Sequence, residues 1–425
     1  MAKRHRGPVA LAVIILSLAT TGGVMASPQH HAVVSDDPIN VTPNVESDST
    51  VPNAAVYAIA RAGNTIYVGG KFRTITNAGD TESYRRHNIM AFDATTGEVK
   101  DFAPKINGTV WTIVQRKKSL YVGGDFTSVN GRNRRALVKL RTATGALQKK
   151  FQPGVTSGNV TQLAFRESRL IAGGSLPGKL ISLNAENGNR TNYLQVSING
   201  KVAPNAGPTK VYRFAVNPQR TRLVGIGNFT SVGGKARRQA FMLRLRDKRA
   251  AVHGWYYQAL NNQCSASGAP SYLRDVDFSP DGSYFVMVST GFVSQSGGID
   301  RDICDAAARF ETNISSPVRP TWINYTGGDT LHSVAATGAA VYVQGHQRWL
   351  DNKFGVNDAG PGAVAREGIG AIDPDTGLAF GWNPSKTREV GGKDFLATST
   401  GLWVGSDGER IGGEYRAGIA FLPLP

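Results

Sequence analysis

The sequence predicts an all-β chain of many short strands, and three observations carry that prediction. Glycine is abundant, 50 of 425 residues, against a usual share of roughly 7%; with frequent Asn, Thr and Ser it signals numerous tight turns. No long stretch keeps a 3.6-residue apolar period, which argues against a helical bundle. A short motif also returns along the chain at a nearly constant interval.

That motif is Tyr67-Val-Gly-Gly-Lys-Phe72, which recurs as Tyr121-Val-Gly-Gly-Asp-Phe126. Looser copies are Ile171-Ala-Gly-Gly174, Val224-Gly-Ile-Gly-Asn-Phe229, Met287-Val-Ser-Thr-Gly-Phe292, Tyr342-Val-Gln-Gly345 and Trp403-Val-Gly405. From Tyr67 to Trp403 there are 336 residues over six intervals, a mean period of 56. Each copy follows a short apolar strand, such as Val56 to Ile59 or Val110 to Ile113, and precedes a third, such as Ile89 to Asp93 or Leu137 to Arg141. A turn (Thr96-Gly97, Thr144-Gly145, Asn187-Gly188, Thr376-Gly377) then leads to a fourth strand that often ends in aromatic-x-Pro. The glycine pairs at the ends of second strands are expected to supply positive φ and room for a neighbouring sheet.

Four antiparallel strands repeated seven times predict a seven-bladed β-propeller. The seventh repeat ends at Pro425 after its third strand, and an open sheet edge leaves backbone groups unpaired. Residues 38 to 45 are therefore expected to supply the missing fourth strand and close the ring, with a flexible tail over 27–37 before them. One propeller domain spans 38–425.

On these residues the chain resembles secreted bacterial β-propeller repeats of unknown function, themselves kelch-like. The shared pattern is Y-V-G-G-x-F-T-S-V-N-G, then Arg and a strand ending near T-G. Blade two carries it from Tyr121 through Arg135 to Gly145, and blade four repeats Phe229-Thr-Ser-Val-Gly233 with Arg237-Arg238. Blade three lacks the Arg and the Phe-Thr-Ser stretch. The resemblance implies the fold and no chemistry, because propellers host enzymes and passive binders alike.

The N-terminus reads as a signal peptide over 1–26. Lys3, Arg4 and Arg6 precede an apolar run from Val9 to Leu18, and Val24-Met25-Ala26 offers a cleavage site after Ala26. The run is too short for a membrane span of about 20 residues, so the protein is expected to be secreted, with no transmembrane segment once the signal is cut. Without the three basic leader residues the chain keeps 45 Lys and Arg against 31 Asp and Glu, a net charge of +14. That excess favours polyanions such as acidic polysaccharide or wall polymer, and it also favours solubility.

In a four-stranded blade, the loop between strands two and three shares a face with the loop joining blades. Cys264 and Cys304 fall in two such loops, and in an oxidising compartment they are expected to form a disulfide. Arg85, Arg86, Arg132, Arg134, Arg135, Lys235, Arg237, Arg238, Arg301 and Arg366 fall in second-to-third loops of the same face. Two readings stand for them. Guanidinium forks suit carboxylate, sulfate or phosphate, whereas an Arg at a fixed repeat position is often a building element. The structural reading is favoured for the Arg nearest each third strand, and binding is the more open option for Arg85, Arg132, Arg134 and Arg237. Tyr57, Trp111 and Tyr212 start inner strands on that face, either filling the wedge between blades or stacking on a ligand.

Catalytic motifs are sparse. His332 and His346, with Asp275 of the preceding blade, are the one constellation worth testing as an acid/base or metal site, and no ligand spacing supports it. No nucleotide-binding loop, cofactor motif or metal site is read. The expectation is a monomeric, non-catalytic binding module for an anionic polymer or an extracellular protein partner, without specific nucleic-acid recognition. A carbohydrate-active propeller enzyme and an envelope-assembly scaffold are the alternatives.

Overall fold

The computed structural model describes residues 28–292, 302–314, 316–388 and 391–425. The signal peptide and Arg301 lie outside the described residues. Those residues are all-β apart from one short 3-10 turn, Gln258–Asn261, and contain no helix long and apolar enough to cross a membrane.

Among the described residues, seven main antiparallel sheets of three or four strands follow one another along the chain, and five smaller sheets of two or three short strands form in the loops between their strands. The first is Ala55–Ala62, Thr65–Lys71 and Ile89–Asp93; the second is Val110–Arg116, Ser119–Gly124 and Leu137–Arg141. The third is Val160–Arg166, Arg169–Gly174 and Leu180–Asn184; the fourth is Lys210–Val216, Arg222–Asn228, Ala240–Leu245 and Ala250–Val252. The fifth is Leu273–Phe278, Tyr284–Ser289, Ala306–Glu311 and Trp322–Tyr325. The sixth is Leu331–Ala336, Val341–Gly345 and Ile369–Ile372; the seventh is Asp394–Thr398, Gly401–Gly405 and Ile419–Pro423. In the first, second, third and sixth sheets a single bridge adds a fourth segment, at Val99, Leu147, Arg190 and Ala379.

Successive first strands touch, and Asp394–Thr398 touches Ala55–Ala62, so the order is cyclic. The apolar cores lie between consecutive sheets rather than within one. Tyr67, Ile89 and Phe102 of the first sheet pack on Ile113, Leu120 and Val122 of the second. Val56, Val68 and Phe92 of the first pack on Trp403, Ile419 and Phe421 of the seventh. Burying a large apolar side chain there contributes roughly 1.5–3 kcal/mol.

The leading segment behaves differently from its expectation. Residues 28–37, read as a flexible tail, are held against the sixth and seventh sheets: His30 is 1% and Val34 2% exposed. The His30 N–H donates to Thr337 O at 2.8 Å, and the Val34 N–H to the Tyr342 hydroxyl at 2.9 Å. The closing segment is shifted as well. It is Ser35 to Ile39, not 38 to 45, that runs beside the last strand, with N–H bonds from Ser35 to Pro423 O at 2.7 Å and from Ile39 to Phe421 O at 3.0 Å. Lys100, His253 and Phe380 make the same bond to the third strand of their own sheets, donating to Ala91, Met242 and Ala371. Asn44–Glu46 then pairs with Thr74–Thr76 in the second-to-third loop of the first sheet, as Ile198–Asn199 pairs with Ser231–Val232 in the same loop of the fourth. The leader thus takes the path of an ordinary connection between two sheets.

Of the two causes expected for the glycine pairs, close approach holds and positive φ does not. Gly69 and Gly70 are absent from the positive-φ residues. A Cβ on Gly70 would stand 2.0 Å from Ala55 O of its own sheet, and one on Gly69 would stand 2.4 Å from Val110 of the next. Close approach alone requires glycine at both positions.

Candidate functional site

Each first strand except that of the seventh sheet carries one extra residue. The register against the second strand slips between Val56 and Ala58, Val110 and Thr112, Val160 and Gln162, Val211 and Arg213, Leu273 and Asp275, and Leu331 and Ser333. The skipped residues are Tyr57, Trp111, Thr161, Tyr212, Arg274 and His332. A bulge leaves its residue unpaired and re-aims its side chain. All six line one cup of 260 Å³, joined by Lys210, Arg213, Leu273, Gly392 and Lys393. The cup lies where first strands begin. Second strands end at that same edge, as the Ala55–Lys71 pairing shows, so the cup shares its face with the second-to-third loops.

Four cations meet there. Lys393 Nζ pairs with Asp407 at 3.4 Å, and the pair accounts for its charge. Arg213 reaches across the centre: its Nη1 donates to Gln162 Oε1 at 2.8 Å and Thr161 O at 3.3 Å, and its Nη2 approaches Lys393 O at 3.5 Å. It lines both the cup and a second cavity of 320 Å³ behind it, so its guanidinium stands between them. Among the described residues Arg274 donates through Nη1, to Ser271 O at 2.9 Å and Leu273 O at 3.4 Å. Lys210 has no hydrogen bond or ion pair among the described residues; its ammonium stands 5.3 Å from the Tyr212 ring centre. Burial, reinforced by the Arg213 charge and opposed by the Asp125 carboxylate, pulls the Lys210 ammonium down to about 8. Burial also lowers Arg274, against the pull of Tyr212 and Asp305, and Lys393, against the pull of Asp407. Tyr57 and Trp111 face each other with ring centres 4.4 Å apart.

Behind Arg213, Asp275 and Asp394 line the second cavity. Asp275 Oδ2 accepts from the Val334 N–H at 3.1 Å and Asp394 Oδ2 from the Ile59 N–H at 2.8 Å. Burial pushes Asp275 up to about 6 and Asp394 up to about 7, with Arg213 opposing in both. Both carboxyls therefore hold their protons more tightly folded than unfolded. Their contribution to stability is full below the ordinary carboxyl range near pH 4 and is lost as pH rises through about 6 and then about 7. Buried His30, held below its ordinary value by burial, acts in the opposite direction at low pH. The Asp394 effect is therefore read as a difference. Relative to the unaltered chain, Asp394→Asn is expected to gain on the order of 3 kcal/mol between pH 5 and pH 8 in urea unfolding. A difference independent of pH contradicts the assignment.

The structure divides the loop arginines, and only partly along the line expected: Arg86, Arg238 and Arg366 are tied and Arg85 and Arg132 exposed as expected, whereas Arg134, Arg135 and Arg237 depart from it. Arg134 and Arg237, read as the freer residues, are tied, as are Arg86 and Arg366. Each donates through Nη1 to the carbonyl just before it, at Asn133, Ala236, Arg85 and Ala365. Arg86, Arg237 and Arg366 also reach carbonyls of the fourth segment, at Lys100, His253 and Phe380. Arg416 repeats this in the seventh sheet and finds Ile39 O at 3.1 Å. Arg238 donates to Val202 O at 2.9 Å. Arg85, Arg132, Arg135 and Lys235 are exposed. None of the nine described loop cations lines the cup.

The disulfide is formed: Cys264 and Cys304 are bonded, with Cα atoms 5.8 Å apart. His332 and His346 come together, ring centres 6.0 Å apart, while Asp275 is held by the Val334 N–H. Among the described residues no group of three or more His, Cys, Asp or Glu is placed to hold a metal ion. Sequence reasoning missed Lys210, Arg213, Arg274 and Lys393. Tyr57, Trp111 and Tyr212 were noticed, and the bulges explain why they face the cup.

No family model and no curated protein matches the chain. Among solved structures it is similar to the computationally designed Ika8 protein, at 11% identity and a TM-score of 0.47, covering 90% of this chain and 98% of that one.

Proposed function

We propose that the chain is a secreted, non-catalytic binding module, a seven-bladed β-propeller closed by its own leading segment, that takes anionic ligands at the cup. Supporting the architecture are the cyclic order of first strands, the cores between consecutive sheets, and the Ser35–Ile39 pairing. The repeats resembling secreted bacterial propellers agree with it. One observation carries the anion: Lys210 and Arg274 are recessed and neither forms an ion pair among the described residues, Asp125 and Asp305 acting on them only through space. A recessed cation without a partner is costly, and a bound anion relieves that cost. Exposed Arg85, Arg132, Arg135 and Lys235 on the same face would add long-range attraction to a polymer.

The test is retention on immobilised polygalacturonate against neutral dextran. Binding to the acidic polymer alone, falling at least tenfold between 50 and 300 mM salt, is expected. It should also fade as pH rises through about 8, where Lys210 gives up its charge. Equal retention on dextran, or insensitivity to salt, contradicts the reading.

A further inference from the structure

The cup is shaped for one sugar ring rather than for the side of a polymer. We infer that its ligand is a carboxylate-bearing pyranose presented at the end of a glycan chain, bound end-on; this rests on the anion-binding reading above.

Three features point to it. The first is depth. Arg213 spans the centre between the third and seventh sheets, so a chain entering the cup meets a guanidinium floor. The opposite side of the second cavity is lined by Pro28, next to His30, whose Nε2 contacts Thr398 O at 2.8 Å. Arg213 therefore stands in the path of a polymer strand through the centre.

The second is size. At 260 Å³ the cup lies just below the range of roughly 300–1,000 Å³ that houses drug-sized ligands. It holds one ring with its substituents.

The third is the chemistry of the wall. Lys210 and Arg274 both line the cup without an ion pair among the described residues, and a carboxylate there gains from either cation. Tyr57 and Trp111, packed on each other at the cup wall, add aromatic surface for the C–H side of a pyranose. The hydroxyls of Tyr57 and Tyr212 make no hydrogen bond among the described residues and stand ready for sugar hydroxyls. Phosphate is the less fitting anion: Arg213, the central guanidinium, is already spent on Gln162 Oε1 and two carbonyls.

Calorimetric titration with galacturonate, glucuronate, mannuronate and N-acetylneuraminate, each beside a neutral sugar, tests the class. At least one acid is expected to bind ten times more tightly than its neutral counterpart. Lys210→Ala should weaken it at least tenfold, and Lys210→Arg should restore most of the loss. A melting temperature unchanged from the unaltered protein shows that Lys210→Ala is folded, and Tyr57→Phe, expected to weaken the same titration by losing one hydroxyl, serves as a second variant.

A second arm tests end-on binding with polygalacturonate cut to different lengths. At equal mass, chains ten times shorter should give about tenfold tighter apparent binding, because chain ends are ten times more numerous. Binding that follows mass alone overturns the end-on claim and leaves the anion reading standing. Absence of binding to any acidic sugar or polymer at low salt overturns both.

Discussion

A chain lacking residues 28–43 is expected to lose its cooperative thermal transition, or to melt far below the intact protein. Those residues bury His30 and Val34, and they supply the N–H bonds from Ser35 and Ile39 to the last strand. They also offer Ile39 O to Arg416. Val34, with partly buried Val33 and Ile39 packed on the same cores, contributes up to roughly 1.5–3 kcal/mol per side chain, and with several hydrogen bonds at about 1 kcal/mol each this approaches the whole stability of an ordinary domain, about 5–15 kcal/mol. The exposed outer edge of the seventh sheet would then invite association between chains. Calorimetry with light scattering reads both effects. A truncated chain that melts like the intact one, without aggregating, contradicts closure by the leader.

Replacing both cysteines by serine is the second large effect. Cys264 and Cys304 enclose a loop of 40 residue steps, for which the chain-entropy account gives about 4 kcal/mol. Cys304 is 1% exposed among Tyr272, Ile303 and Leu260, so serine also brings a hydroxyl into an apolar setting. Urea unfolding of Cys264→Ser/Cys304→Ser should fall by roughly 3–4 kcal/mol, and reduction of the unaltered protein should reproduce most of that fall. A loss under 1 kcal/mol in both measurements would show that the loop is held by other contacts.

The strands were legible because their signals are local. Tyr67-Val-Gly-Gly70 and Tyr121-Val-Gly-Gly124 announce themselves through apolar residues and obligatory small ones, and the cysteine pairing follows from which loops share an edge. The cup was not legible, because a bulge does not disturb apolar alternation in any way a reader can see. Val56-Tyr57-Ala58 reads as plain strand until its partner register is known. Lys210, Arg213, Arg274 and Lys393 belong to three different sheets, and only the cyclic packing of those sheets brings them together.

The arginines failed for a similar reason at shorter range. Arg134 and Arg135 are neighbours in sequence, but Ala136 turns to a φ of 60° before the third strand begins. That turn helps send Arg134 back along its own loop and leaves Arg135 in solvent. The leader failed because Val33-Val34 is a brief apolar signal in a polar stretch, and its partner strand lies almost 400 residues away.

The most direct measurement is the anomalous scattering of bromide soaked into crystals of the protein. The account predicts the strongest bromide peak inside the cup, against Lys210 and Arg274, and its loss in Lys210→Ala crystals. Bromide found only beside exposed Arg85, Arg132, Arg135 and Lys235, with the cup holding none, would contradict it.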